Sequence, residues 1–320
     1  MRPSPRRGKP SILSPRACTR LQVNSSGPCA AGRDNRGVGV AHYENFPVAS
    51  VLCPPRIRGA VVAVYHYART ADDLADEGDA STEQRQAELL AYRDDLRRVF
   101  AGQPPSPRWE HVFAPLRQAI AGHAIPPQPL EDLLDAFLQD VRNPRHADRS
   151  ALLDYCRRSA NPVGRLLLHL HGVSDAGALA RADRICTALQ LANFWQDCSV
   201  DLPRGRVYLP MADAQRHGVD LDDPPRLRDG PSTQALLREL CDWTRKTMLD
   251  GADLALQLPG RAGWELRLVV QGGLRILDKI RQVDYRTLAH RPVIGARDAV
   301  PLAWRALTMR PQAASARSSA

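Results

Sequence analysis

From residue 57 to residue 288, apolar side chains recur at helical three-and-four spacing, and no segment shows the alternation of a half-buried strand. A chain patterned in this way must pack helix on helix. The periodicity predicts helices near 57–76, 82–101, 108–121, 129–142, 149–172, 177–201, 232–257 and 264–288, with a shorter one within 41–50. "GQPPSP" at 102–107, "IPPQP" at 125–129 and "DDPPRLRDGPS" at 222–232 punctuate them. None of these breaks is long enough to separate one domain from another, and no repeat recurs at a fixed period. Aromatic residues make up only 5% of the chain, while alanine and leucine abound, which favours helix over sheet. The expectation is one all-α domain over 41–300. A basic, disordered tail is expected at 1–40 and a disordered end at 301–320, where the pattern fades into "RPQAASARSSA".

Charge narrows the function classes. Of the net charge of +9, residues 1–40 hold +7, so the body of the chain is close to neutral. A basic tail on a neutral body, without zinc-finger spacing or aromatic-interleaved basic strands, argues against nucleic-acid binding. The seven cysteines are scattered, with no C-x-x-C pair, as expected of free thiols in a reducing cytoplasm. No stretch approaches the roughly 18 uninterrupted apolar residues of a membrane span. The N-terminus lacks the apolar core of a secretory signal. A cytoplasmic protein is expected, with at most peripheral contact with the inner face of the membrane through the arginines of the tail.

The chemistry lies in two helical stripes. In "YHYARTADDLADE" (65–77), Tyr65, Arg69, Asp72 and Asp76 sit at offsets 0, 4, 7 and 11, within a stripe of roughly 60°. Asp73 and Glu77 point elsewhere. In "LQLANFWQDCSVDLPRGRVYLP" (189–210), Gln190, Asn193, Asp197 and Asp201 sit at offsets 0, 3, 7 and 11, within roughly 80°. Phe194 and Trp195 lie on the other side and read as core. Pro203 should end this helix near Asp201, leaving "PRGR" to fold Arg204 and Arg206 over the carboxylates.

A single D-x-x-x-D on a helix is usually a solvated polar face. Two such stripes, one followed by an arginine loop, are better explained as facing carboxylates that share cations. All-oxygen donors with one amide suit Mg²⁺ rather than Zn²⁺. The arginines suit phosphate oxygens. Together they point to metal-assisted departure of a diphosphate from an otherwise apolar cavity. His169 and His171 fall on different helix faces and form a poor metal pair, and His66 reads as structural.

These residues carry a resemblance. The chain resembles the squalene/phytoene synthase family, the head-to-head class of isoprenoid synthases, through three blocks: the Tyr65–Asp76 stripe, "DYCRRSANPVG" at 154–164, and the Gln190–Asp201 stripe with "GRVYLP" at 205–210. "HYENFPVAS" at 42–50 and the "SANPVG" wording resemble the bacterial hopanoid-pathway branch of squalene and hydroxysqualene synthases. The resemblance implies an all-α isoprenoid-synthase bundle acting on farnesyl, geranylgeranyl or presqualene diphosphate. It makes Asp72, Asp76, Asn193, Asp197 and Asp201 metal or metal-water contacts, and Arg69, Arg206 and Arg291 diphosphate contacts. Tyr65 and Tyr155 become catalytic-region tyrosines, and Phe46 an aromatic wall. It leaves open whether NADPH is used and whether another enzyme hands over presqualene diphosphate. Carotenoid-type phytoene or dehydrosqualene synthesis remains an alternative, as does a helical paralogue without catalysis.

Three positions depart from the family's pattern. Gln196 stands where an arginine commonly precedes the first Asp of the second motif, which should weaken one diphosphate contact and leave more to Arg204 and Arg206. Gly273 in "QGGLRIL" stands where phytoene-side members often carry a tyrosine. Asn161, before Pro162, replaces a small residue that is typically Gly. It either caps a helix break or holds a water beside the cavity for an enzyme that ends its reaction by water capture.

Overall fold

The computed structural model describes residues 53–311; Phe46, the expected helix within 41–50 and the tail 1–40 lie outside them. Thirteen α-helices are present among the described residues, and no strand. The first four are α1 (Pro55–Asp76), α2 (Thr82–Phe100), α3 (Glu110–His123) and α4 (Pro127–Asp140). After them come α5 (Arg149–Ser159), α6 (Asn161–Leu170), α7 (Ala176–Gln196) and the short α8 (Cys198–Asp201) and α9 (Met211–Arg216). The last are α10 (Pro231–Ala252), α11 (Leu254–Gln257), α12 (Gly260–Gln282) and α13 (Ala299–Leu307).

Local chemistry starts these helices where the site needs them. Pro55 opens α1, where its missing N–H costs nothing. Asp148 and Asp175 cap α5 and α7, accepting from Ala151 N at 2.9 Å and Ala178 N at 2.7 Å. The buried face of α1 is Ile57, Ala60, Ala63, Tyr67, Ala71 and Ala75, mostly small residues that let it lie close against α3. Tyr67 fixes its depth: the hydroxyl donates to Leu130 O at 2.9 Å, and its ring stacks on Tyr92 at 5.4 Å. On the other side α10 lies so close to α7 that a Cβ at Gly251 would sit 2.6 Å from Arg181 O. The aromatic cluster of Tyr67, Tyr92 and Phe113 supports α1, while the C-terminal half of α7 belongs to a second apolar cluster around Trp195. Trp195 is core as expected, its indole N–H donating to Thr244 Oγ1 at 2.8 Å.

Several boundaries differ from the sequence reading. The expected 149–172 helix is split at Ala160 (φ −120°, ψ −47°), so that Pro162 falls in the first turn of α6, where no intrahelical N–H is required. The 177–201 helix breaks at Asp197 (ψ 10°), which separates α7 from α8. The last long helix begins at Gly260 and ends at Gln282, before left-handed Asp284 and Tyr285 (φ 55° and 57°). The disordered end expected over 301–320 needs correction for 301–307, which are helical, while 312–320 lie outside the described residues. Pro301 occupies the first turn of α13, where proline is tolerated, and Arg305 Nη1 ties the helix to Asp278 Oδ2 at 2.8 Å. The five described cysteines are free thiols. Among the described residues, no helix is long and apolar enough to cross a membrane.

Candidate active site

Tyr65, Arg69, Asp72 and Asp76 of α1 all line one cavity of about 770 Å³, together with Gln190, Asn193 and Asp197 of α7 and Asp201 of α8. Arginines hold the carboxylates. Arg69 Nη1 donates to Asp72 Oδ2 at 2.9 Å, while its Nη2 meets Asp73 Oδ1 at 2.5 Å and Glu77 Oε1 at 3.0 Å. Asp73 and Glu77 lie off the cavity yet compete for the guanidinium of the stripe. Arg206 Nη2 donates to Asp76 Oδ1 across 130 residues of sequence. Arg291 takes Asp197 by two contacts, Nε to Oδ1 at 2.5 Å and Nη2 to Oδ2 at 3.1 Å, and Asn193 Nδ2 donates to the same Oδ2 at 2.9 Å.

The turn after α8 decides which loop arginine serves the site. Gly205 is left-handed (φ 75°) and reverses the chain, so Arg206 lines the cavity while Arg204 stays exposed on the outer side of the 3₁₀ turn. Arg204 therefore does not fold over the carboxylates as expected, although its charge still lowers the pKa of Asp201. Gln196 also has a different place from the one expected. It is fully buried and donates from Nε2 to Pro292 O at 2.6 Å, so it anchors the segment that carries Arg291. Asn161 is buried and is absent from the cavity wall. Its Oδ1 accepts from Thr187 Oγ1 at 2.9 Å, which ties the start of α6 to α7, and the side chain neither caps the break nor lines the cavity. At Gly273 a Cβ would sit 2.7 Å from Met248 Cε and 2.9 Å from Leu189 Cδ2. Leu189, a wall residue, fills the space that a larger side chain would need.

Next to the acidic end lies a polar-aromatic junction that the helical stripes did not contain. Tyr155 OH donates to Asp140 Oδ2 at 3.0 Å. Phe194 stacks on Tyr208 at 3.9 Å with planes 9° apart, and Tyr155 stands 6.1 Å from each ring. All four side chains line the cavity, so Phe194 is a wall residue as well as core. Burial pushes the Asp140 carboxyl up to about 7; the charge of Asp72 adds to this, and the Tyr155 hydrogen bond opposes it. Burial, with Asp140 next, also pushes the Tyr155 phenol well above its ordinary range. Asp140 ends α4, and no motif marks it. Tyr208 is visible in the sequence only inside "GRVYLP". Most of the remaining wall is apolar, with Ile57, Val61, Phe137, Leu166, Ile185 and Leu266 among its members, interrupted by Ser159, His171 and Glu265.

Among the described residues, no three carboxylate, imidazole or thiol groups converge closely enough to hold a metal ion as they stand. The donor set nevertheless fits a hard divalent cation. Asp72, Asp76, Asp140, Asp197 and Asp201 face three arginines, Arg69, Arg206 and Arg291, which leaves a surplus of negative charge. Burial first, then the charge of Asp197, pushes Asp201 up to about 6, and burial raises Asp72 despite its arginine. All-oxygen donors short of positive charge suit Mg²⁺.

A sequence model of the squalene/phytoene synthase family matches residues 40–298. Hydroxysqualene synthase of Rhodopseudomonas palustris is 35% identical over 248 residues, 75% of this chain and 80% of that one. Phytoene synthase of Thermus thermophilus is 32% identical over 252 residues, 78% of this chain and 83% of that one. Among solved structures, squalene synthase of Alicyclobacillus acidocaldarius is 37% identical with a TM-score of 0.70, covering 77% of this chain and 90% of that one. The chain belongs to the squalene/phytoene synthase family and is an enzyme of the prenyltransferase type with the all-α isoprenoid-synthase fold.

Proposed function

We propose that this member of the family breaks the C–O bond of presqualene diphosphate, either taken up as such or formed from two farnesyl diphosphates by joining their chains with loss of one diphosphate, and releases hydroxysqualene or squalene. One observation carries the reading. A single cavity joins an arginine-carboxylate end to an apolar wall, with Tyr155, Tyr208 and Phe194 lining it. The similarity to hydroxysqualene synthase favours this product over a carotenoid precursor, and the similarity to phytoene synthase keeps that alternative as an outcome of the test.

Arg69, Arg206 and Arg291 offer planar, paired N–H donors to diphosphate oxygens. Asp72, Asp76, Asn193, Asp197 and Asp201 would hold Mg²⁺, whose charge eases diphosphate departure. When the C–O bond breaks, its electron pair leaves with the diphosphate oxygen and a carbocation remains among the apolar side chains. The faces of Phe194 and Tyr208 stabilise positive charge through their ring quadrupoles. Tyr155, held by Asp140, keeps its phenol protonated beside them. Tyr65 and Gln190 complete the wall next to the departing group. The cyclopropylcarbinyl cation left by presqualene diphosphate rearranges with opening of its ring, and water adds to the rearranged cation with loss of a proton, giving the alcohol. A nicotinamide reductant, where bound, would instead supply the hydride that gives the hydrocarbon.

The test incubates the enzyme separately with labelled presqualene, farnesyl and geranylgeranyl diphosphate and Mg²⁺, with and without NADPH, followed by chromatography. Diphosphate release with hydroxysqualene formed in the absence of NADPH is the expected result. Phytoene from geranylgeranyl diphosphate, or dehydrosqualene from farnesyl diphosphate, would assign the carotenoid-type reaction instead. Failure to turn over any of them, together with no Mg²⁺-dependent diphosphate binding in calorimetry, would make the chain a non-catalytic paralogue. The same reading has the enzyme working in the cytoplasm, receiving presqualene diphosphate from the enzyme that forms it and touching the membrane peripherally because its product is a waxy hydrocarbon or alcohol.

A further inference from the structure

The three most exposed large apolar side chains among the described residues are Val300 (78%), Trp304 (64%) and Leu307 (59%), and all belong to α13. At offsets 0, 4 and 7 they form a stripe of roughly 60° on one face. The opposite face is spent on the fold: Ala306 is buried, Leu302 is half-buried, and the helix packs on α12. Ion pairs to α12 hold both ends. Asp298, just before the helix, meets Arg275 at 2.7 Å and Lys279 at 2.9 Å, and Arg305 meets Asp278 at 2.8 Å. The outward stripe is therefore presented on a fixed helix. Its surroundings are basic: Arg297 and Arg310 are exposed on either side of α13, and no Asp or Glu occurs from 299 to 320.

We infer that α13 is an interfacial helix that lies in the surface of an anionic lipid bilayer, with Val300, Trp304 and Leu307 below the headgroups and the arginines among the phosphates. Nine residues of helix are about 13 Å long, far too short to span but suited to lying flat. An exposed tryptophan beside aliphatic side chains matches the depth at which indoles settle in membranes. The positive rim supplies the charge complementarity that an uncharged or cationic partner would lack. The inference gives a surface to the peripheral contact proposed above. Its assay needs no turnover, so the two readings fail separately.

The test uses the full chain and vesicles of phosphatidylglycerol mixed with phosphatidylcholine, in a flotation assay at moderate salt. Wild type should float at least about tenfold more than the Val300→Ser/Trp304→Ser/Leu307→Ser variant, with weaker binding to pure phosphatidylcholine and partial loss in high salt. Circular dichroism and diphosphate release should be unchanged in the variant. Trp304→Phe should still float, yet lose the share of the fluorescence that brominated lipids quench in wild type. Equal flotation of wild type and the triple variant would overturn the inference and assign any binding to residues 1–40. Absence of flotation, with a doubled solution mass that the triple variant abolishes, would also overturn it and give the face to a second copy of the chain.

Discussion

Replacing Gln196 by methionine keeps the length and volume of the side chain and removes its donor. The Pro292 carbonyl would then lose a 2.6 Å hydrogen bond in a fully buried setting. An unpaired buried acceptor costs about 1–3 kcal/mol, so the segment should relax outward to regain a partner. Upstream the segment is held by Asp229, which accepts from Leu288 N at 3.3 Å and Ala289 N at 3.0 Å, so the shift should fall on Arg291. If about half of that cost reappears as misplacement of the Arg291 guanidinium, diphosphate should bind roughly 2–12-fold more weakly, since about 1.4 kcal/mol is a factor of ten. The assay is the inhibition constant of inorganic diphosphate with Mg²⁺ in wild type, Gln196→Met, Arg291→Ala and the double variant. If Gln196 acts by positioning Arg291, its substitution should change diphosphate affinity less than about twofold once Arg291 is gone, because coupled residues are not additive. Thermal stability should fall similarly in both backgrounds. An equal loss of diphosphate affinity with and without Arg291 would refute the positioning argument.

Asp72→Asn and Asp197→Asn should each remove most turnover at saturating Mg²⁺ without changing the circular dichroism, since both side chains line the cavity and neither sits in the core. Asp140→Asn should stabilise the protein in a pH-dependent way. The folded carboxyl titrates near 7 against an ordinary 3.8, so wild type has its full stability from this group below about pH 4 and loses it progressively as pH rises to about 7. The asparagine variant should therefore gain on wild type by on the order of 4 kcal/mol at pH 8 and less at pH 5, read by urea unfolding with a chelator present. Gly251→Ala should cost about 1–3 kcal/mol in the same assay, because its Cβ would meet the Arg181 carbonyl at 2.6 Å and backbone does not give way.

The all-α class and most helix spans are legible in the sequence because amphipathic periodicity is a local signal, repeated every turn. The α1 stripe is legible for the same reason: once the helix exists, Tyr65, Arg69, Asp72 and Asp76 share a face and reach one cavity. The ion pairs are a different matter. Arg206 with Asp76 and Arg291 with Asp197 lie 130 and 94 residues apart, and no periodicity links such positions. Asp140 is hidden for a related reason. It is one carboxylate at the end of an ordinary amphipathic helix, and only the packing of α4 on α5 brings Tyr155 to it. The α13 helix escapes the sequence reading because Pro301 looks like a stop, although proline in a first turn removes no hydrogen bond.

Gln196 and Asn161 reveal a further limit. Both are polar residues next to recognised motifs, and proximity in sequence suggests chemistry for each. Helical arithmetic, however, turns Gln196 about 60° beyond Asn193 and about 100° from Asp197, away from the carboxylate stripe. That angle follows from the sequence; what it cannot supply is the acceptor. A fully buried amide must find one, because an unpaired buried polar group costs about 1–3 kcal/mol. Gln196 finds it in Pro292 O and Asn161 in the Thr187 hydroxyl, on segments 96 and 26 residues away. A buried amide whose angle leads off the cavity is thus better read as a tie to a neighbouring segment than as a reactant. For Gln196 that tie reaches the chemistry indirectly, because the segment it holds carries the guanidinium that grips Asp197.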